Sequence, residues 1–116
     1  MLLHTELGPG HVLARAHGRR LQLTGLIDFV EIMRGDPEYD LTAVAFFVTR
    51  GDAPMLRALC DGYGLSREDR RGLAGRLLRH LVLHRYANLR WLTGLRPIPR
   101  TIRSADELAT FWMGAA

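Results

Sequence analysis

The sequence predicts an α+β fold, mostly helical, in which one β-hairpin is followed by about four helices. Three features predict it. A turn-forming His17-Gly18-Arg19-Arg20 separates two short runs, His11 to Ala16 and Leu21 to Ile27, and the second alternates before becoming apolar, as a half-buried strand does. From Leu41 onward apolar residues recur at helical rather than strand spacing. Residues that start helices, Asp52, Ser66 and Ser104, stand ahead of the later apolar runs.

The elements follow in order. Met1 to His4 is short and apolar, and Thr5 to Gly10 forms a polar loop, because two glycines around Pro9 disfavour regular structure. After the hairpin, Gly35-Asp36-Pro37 marks a turn before a helix capped by Asp40, with Leu41, Val44, Ala45 and Val48 at helical spacing. Asp52-Ala53-Pro54 begins the next helix, since proline is tolerated in a first turn; Met55, Leu56, Leu59 and Tyr63 form its apolar stripe, and Gly62 and Gly64 end it. Ser66, with Glu68 and Asp69 in the first turn, begins the longest helix, whose apolar residues run from Leu73 toward Trp91. Pro97 and Pro99 break the pattern, Ser104 with Glu107 fits a capping box, and Leu108, Phe111 and Trp112 close the chain in a short helix.

A chain of 116 residues folds as one domain with a modest core. Residues 1–40 carry the polar loops and the hairpin, and 41–116 are helical. A hydrophobic fraction of 47% against 24% charged excludes a disordered chain. The net charge of +4 admits a nucleic-acid partner, but the basic residues are scattered from Arg15 to Arg103 without an RNA-binding signature. Nucleic-acid binding is thus the weakest functional reading. All sixteen Lys and Arg residues are arginine. The single cysteine, Cys60, excludes an internal disulfide and reads as a buried apolar side chain. No apolar run reaches the length of a membrane span and no signal peptide is visible, so the expectation is a cytoplasmic protein with no membrane partner.

Three motifs then carry a resemblance. His4-Thr5-Glu6-Leu7-Gly8-Pro9-Gly10-His11 resembles the H-x-D-x-x-x-x-N catalytic loop of aminoglycoside phosphotransferases and choline-kinase-like enzymes, with Glu6 and His11 departing from the pattern. Ile27-Asp28-Phe29 is similar to that family's metal-binding segment, and Gly35-Asp36-Pro37-Glu38-Tyr39-Asp40-Leu41 to its G-D-P-x-x-D-L helix start. The order and separation of the three also agree. The resemblance implies part of the C-terminal lobe of a protein-kinase-like fold, and an activity that moves a phosphate from ATP, with Mg2+, to a hydroxyl of a small substrate.

By this resemblance Glu6 stands where a carboxylate accepts or orients the substrate hydroxyl, Asp28 where the principal metal ligand is found, and His11 where an asparagine helps to hold magnesium. His4 and Asp40 would support the loop, Asp40 by anchoring its backbone. Each position has a plainer reading beside it: Glu6 as a solvated loop carboxylate, His11 as a turn-closing or strand-start residue, Asp28 as a local turn cap. Glu31 shares the metal, touches a cationic substrate, or is a solvent-facing acid. Glutamate carries its carboxylate one methylene farther than aspartate, and imidazole suits zinc, copper or iron better than magnesium. His80 and His84 have the i, i+4 spacing of zinc ligands but no third ligand, which favours surface or packed histidines.

The nucleotide-binding lysine of a kinase fold is missing, since the chain contains no lysine, and Gly8-Pro9-Gly10 lies inside the loop where it cannot cover a nucleotide. The expectation is a fragment of a small-molecule phosphotransferase, impaired or inactive alone. Its uncovered apolar faces would require a partner chain or self-association. A non-catalytic, pseudokinase-like remnant or binding module is the alternative.

Overall fold

The computed structural model describes residues 1–85 and 87–115. Its fold is α+β. A long hairpin joins β2 (Val12–His17) to β3 (Arg20–Leu26), and a second, two-residue pairing joins β1 (Leu2–Leu3) to β4 (Met33–Arg34). The helices follow as α1 (Glu38–Ala43), α2 (Ala53–Gly62), α3 (Arg67–Arg70), α4 (Leu73–Leu83), α5 (Leu89–Leu95) and α6 (Ala105–Met113).

The hairpin forms where alternation predicts it. Gly18 takes a φ of +61° at the tip, and the register slips between Leu13 and Ala14, a bulge of the kind that bends a strand. Every residue of β2 and β3 is exposed, Leu21 and Leu23 at 76% and 72%. The hairpin's apolar side chains thus lie outside the core of the described residues.

The β1–β4 pairing is invisible to pattern reading because two residues a side carry no periodicity. It puts Leu2 opposite Arg34 and Leu3 opposite Met33, so that the start of the polar loop is tied to the stretch leading into α1. Gly35 follows in close contact with Leu3: an added Cβ would stand 2.8 Å from Leu3 Cδ1 and would require that side chain to shift.

Asp40 is not the helix cap that the sequence suggested. The first turn of α1 begins at Pro37, Asp36 Oδ1 accepts from Glu38 N at 2.9 Å, and Asp40 lies inside the helix. α1 runs on into a π-helical stretch, Val44–Thr49, closed by Arg50 N donating to Ala45 O at 3.0 Å. The caps of α2 and α6 are those predicted: Asp52 Oδ1 accepts from Met55 N, and Ser104 Oγ from Glu107 N. Glu107, however, reaches back to Arg103 N rather than to Ser104.

The helix expected from Ser66 toward Trp91 is three helices. Ser66 and Asp69 form a reciprocal capping box that starts α3, and Gly72 then enters the left-handed region at φ +68°, which ends one axis and begins another. His84 turns extended after α4, and Asn88 caps α5 through Trp91 N. Apolar residues continue past the second break because α4 and α5 face one core, whereas α3 buries no residue.

That core consists of Leu41, Phe46, Leu56, Cys60, Leu77 and Trp112 with their neighbours. Cys60 is fully buried and free, and burial pushes its thiol pKa up. Met55, placed on the apolar stripe of α2, is instead exposed. Arg96 locks the C-terminal helix in place: its guanidinium lies over the rings of Phe46 and Phe111, donates to the carbonyls of Arg50, Phe111 and Trp112, and its own carbonyl accepts from Trp112 Nε1 at 3.1 Å.

Gly51 is the tightest point of this junction, with φ +80° and Phe111 O only 2.5 Å from where a Cβ would be. Gly51→Ala should therefore cost at least about 1 kcal/mol, the penalty for an L-residue in the left-handed region. A fall in the urea midpoint at unchanged slope is the expected readout, and an unchanged midpoint would contradict the packing of α6 on this turn.

Candidate active site

The site begins with a carboxylate inside a helix. Asp40, 4% exposed, accepts His4 N at 2.8 Å and Thr5 N at 2.7 Å. Two backbone donors on one anion are charge-assisted bonds, stronger than neutral ones. They hold Thr5 at φ +71°, a region that a β-branched residue enters only when its surroundings compel it. The rest of Thr5 is equally committed: its hydroxyl donates to Glu31 O at 3.0 Å, and its carbonyl accepts from His84 Nε2 at 3.2 Å. Glu6 is thereby aimed by a residue with no freedom of its own.

His4 ties the loop to the segment after β3. Its Nε2 bonds Ile27 O at 2.8 Å, and because a carbonyl only accepts, that nitrogen carries the proton. The ring is stacked on His11 and meets Phe29 edge-on. His4 Nδ1 is buried without a hydrogen-bond partner among the described residues.

His11 connects the other two chemical groups. Its Nδ1 donates to Glu6 O at 2.6 Å, and its Nε2 faces Asp28 Oδ2 at 3.8 Å. Asp28 sits at φ +67°, a second left-handed non-glycine residue in the site, and its side chain is half-exposed rather than turned into the interior. The structure thus brings the side chains of His11 and Asp28 together and ties His11 to the backbone, not the carboxylate, of Glu6.

The donor set bears on which ion would fit. Magnesium is held by one or two carboxylates plus phosphate oxygens and water, a role open to the half-exposed Asp28. His11 offers nitrogen instead. Two ligands of a tetrahedral ion, each about 2.0 Å from it, stand about 3.3 Å apart. The 3.8 Å between His11 and Asp28 is close to that separation, so the pair suits a softer ion better than magnesium.

Glu31 lies beside this group but is already engaged. Its carboxylate pairs with Arg85, which closes the loop after Asp28 onto the end of α4. His80 and His84 do not act together. His84 reaches Thr5 and stacks on Tyr39, whereas His80 stands within 4.8 Å of Asp36 and Glu38, whose carboxylate Arg76 Nε holds at 2.8 and 3.0 Å. Thr5, His84, Arg85 and Tyr39 are the site residues that sequence reading missed. For His84 and Arg85 no local motif could have signalled them, since their partners lie far away along the chain.

Against the loop lies a cavity of about 400 Å³, reaching from Glu6, Leu7 and Pro9 to Phe47, Leu81 and Trp91. Glu6 is its only acidic wall residue, and the Glu6 carboxylate makes no hydrogen bond among the described residues.

Two measurements test this construction. Asp40→Asn presents an amide nitrogen to one of the two buried donors, and should cost about 1–3 kcal/mol. Faster amide exchange at His4 and Thr5 is expected with it, and unchanged exchange would show that the carboxylate does not hold the loop. The second concerns pH. Burial depresses the His84 pKa below its ordinary value, so the unfolded chain takes up a proton that the folded chain resists. That contribution to stability is complete above about pH 6.5 and is lost as pH falls below it. His84→Gln should flatten the fall in urea midpoint between about pH 7 and 5.5, and an equally steep fall in the variant would contradict the assignment.

Comparison with known proteins agrees with the three motifs. The family model described as the phosphotransferase enzyme family matches residues 1–76, a span that includes Glu6, His11, Asp28 and Asp40. No curated protein and no solved structure matches the chain. With 76 of its 116 residues matched, the chain belongs to the phosphotransferase enzyme family.

Proposed function

We propose that this chain supplies the acceptor side of an ATP-dependent phosphotransferase acting on a small hydroxylated substrate. The observation that carries the reading is a loop whose backbone Asp40 holds by two hydrogen bonds, with His11 bonded to the Glu6 backbone and its ring set beside the Asp28 carboxylate. In this reading the Glu6 carboxylate takes the proton of the substrate hydroxyl as its oxygen attacks the terminal phosphorus of ATP. The bond from phosphorus to the bridging oxygen breaks, and ADP leaves. Asp28 would hold Mg2+, which when bound neutralises charge on the phosphates. His11 orients the loop through Glu6 O.

The chain has no lysine, so the cation that pairs with nucleotide phosphates must come from other residues. The exposed apolar side chains of β2 and β3 are where a nucleotide-binding lobe, a partner chain or a second copy would be covered. No helix among the described residues is long and apolar enough to cross a membrane. A free, buried Cys60 suits the reducing cytoplasm.

A second reading is favoured by one observation, the nitrogen ligand at His11 where magnesium demands oxygen. It makes the chain a remnant that keeps the scaffold without the chemistry. The two separate in one experiment: fusion to a lysine-bearing nucleotide lobe of the same family, with transfer of labelled phosphate from ATP to a panel of alcohols. Turnover by the unaltered chain, falling about 100-fold or more in Glu6→Gln, supports the enzyme. Turnover that appears only with Glu6→Asp and His11→Asn together establishes the remnant.

A further inference from the structure

The cavity beside Glu6 has a chemical character that the reaction does not require. Its walls are mostly apolar, and apart from the Glu6 carboxylate the polar side chains of the described lining are already used by the fold. The Thr5 hydroxyl donates to Glu31 O, and the Thr42 hydroxyl donates to Glu38 O at 2.8 Å and approaches Leu77 O at 3.4 Å. His84 spends Nε2 on Thr5 O, and burial keeps its ring toward the neutral form. A sugar hydroxyl entering here would leave water and find few partners, which costs about 1–3 kcal/mol for each group left unpaired.

The charge argument runs the same way. A polycation needs several carboxylates, and the wall offers Glu6 alone, on a chain of net charge +4. Glu31, the nearest acid on the neighbouring loop, is paired with Arg85. What the wall does offer is an aromatic surface: the rings of Phe47 and Trp91 lie 5.7 Å apart at 39°, and Trp91 is half-exposed. The volume of about 400 Å³ is that of a small-molecule pocket.

From these walls we propose that the acceptor is an uncharged alcohol with an apolar, aromatic body, seated between Phe47, Leu81 and Trp91 with its hydroxyl toward Glu6. This specifies the substrate class of the phosphotransferase reading and rests on it. Aminosugars and other polycations are disfavoured in the same cavity because a single carboxylate, Glu6, faces it.

Calorimetric titration of the full chain with 2-(2-naphthyl)ethanol, and separately with spermine, tests the proposal without nucleotide or metal. The naphthyl alcohol should bind at least about tenfold more tightly than spermine. Ala87→Trp, which fills the cavity from a residue outside the helices, and Trp91→Ala, which removes one wall, should each weaken it about tenfold; Trp91 is exposed enough for the second variant to fold if the first does not. No binding of the alcohol, binding indifferent to the substitutions, or tighter binding of spermine overturns the proposal. So does a self-associated dimer that Ala87→Trp dissociates, because the occupant would then be a second copy. Binding as expected, with no phosphate transfer in the fused protein, refutes the phosphotransferase reading while leaving the ligand class of the cavity standing.

Discussion

The Asp40 carboxylate, buried in α1 and bonded to two successive backbone amides, is the constraint from which the site follows. An anion at this depth is tolerable only because both its oxygens are satisfied by donors that have no other use. In return those donors fix the path of the chain at His4 and Thr5, and the next residue is Glu6. The β1–β4 pairing reinforces the same tie from outside, since it joins the residues just before the loop to those just before the helix.

Strain is concentrated where chemistry is proposed. Of the left-handed residues other than glycine among those described, Thr5 and Asp28 lie there, at a cost of order 1–3 kcal/mol for the β-branched Thr5, while Arg50 ends the π-helical stretch. The hydrogen bonds around Thr5 and Asp28 come from three separate parts of the chain: Asp40 in α1, Ile27 and Glu31 in the loop after β3, and His84 at the end of α4. A loop held from so many directions does not need to be ordered by substrate, which favours a preorganised site.

The helical half does two jobs with one set of side chains. Leu81 and Leu92 are buried in the core and also reach the wall of the cavity beside Glu6. Dividing the long apolar stretch at Gly72 and again after Leu83 is what makes this possible, because a straight helix from Ser66 would carry Trp91 away from the loop. The hairpin takes no part in this core, and its apolar residues are exposed.

By itself the sequence determined the family and most of the elements. The hairpin, the starts of α2 and α6, the burial of Cys60 and the family motifs around Glu6, Asp28 and Asp40 are local patterns, decided by residue type and spacing over a few positions. What only the tertiary structure decided involves partners far apart along the chain: His84 on Thr5, Arg85 on Glu31, the bonds by which Asp40 anchors the loop from inside a helix and not from its cap, and an apolar cavity against the loop. The helix breaks at Gly72 and His84 also belong there, because apolar periodicity reports which face meets the core and is silent on whether the axis stays straight. Spacing records neighbours within a turn or a strand, whereas a cavity exists only once separate elements have packed around it.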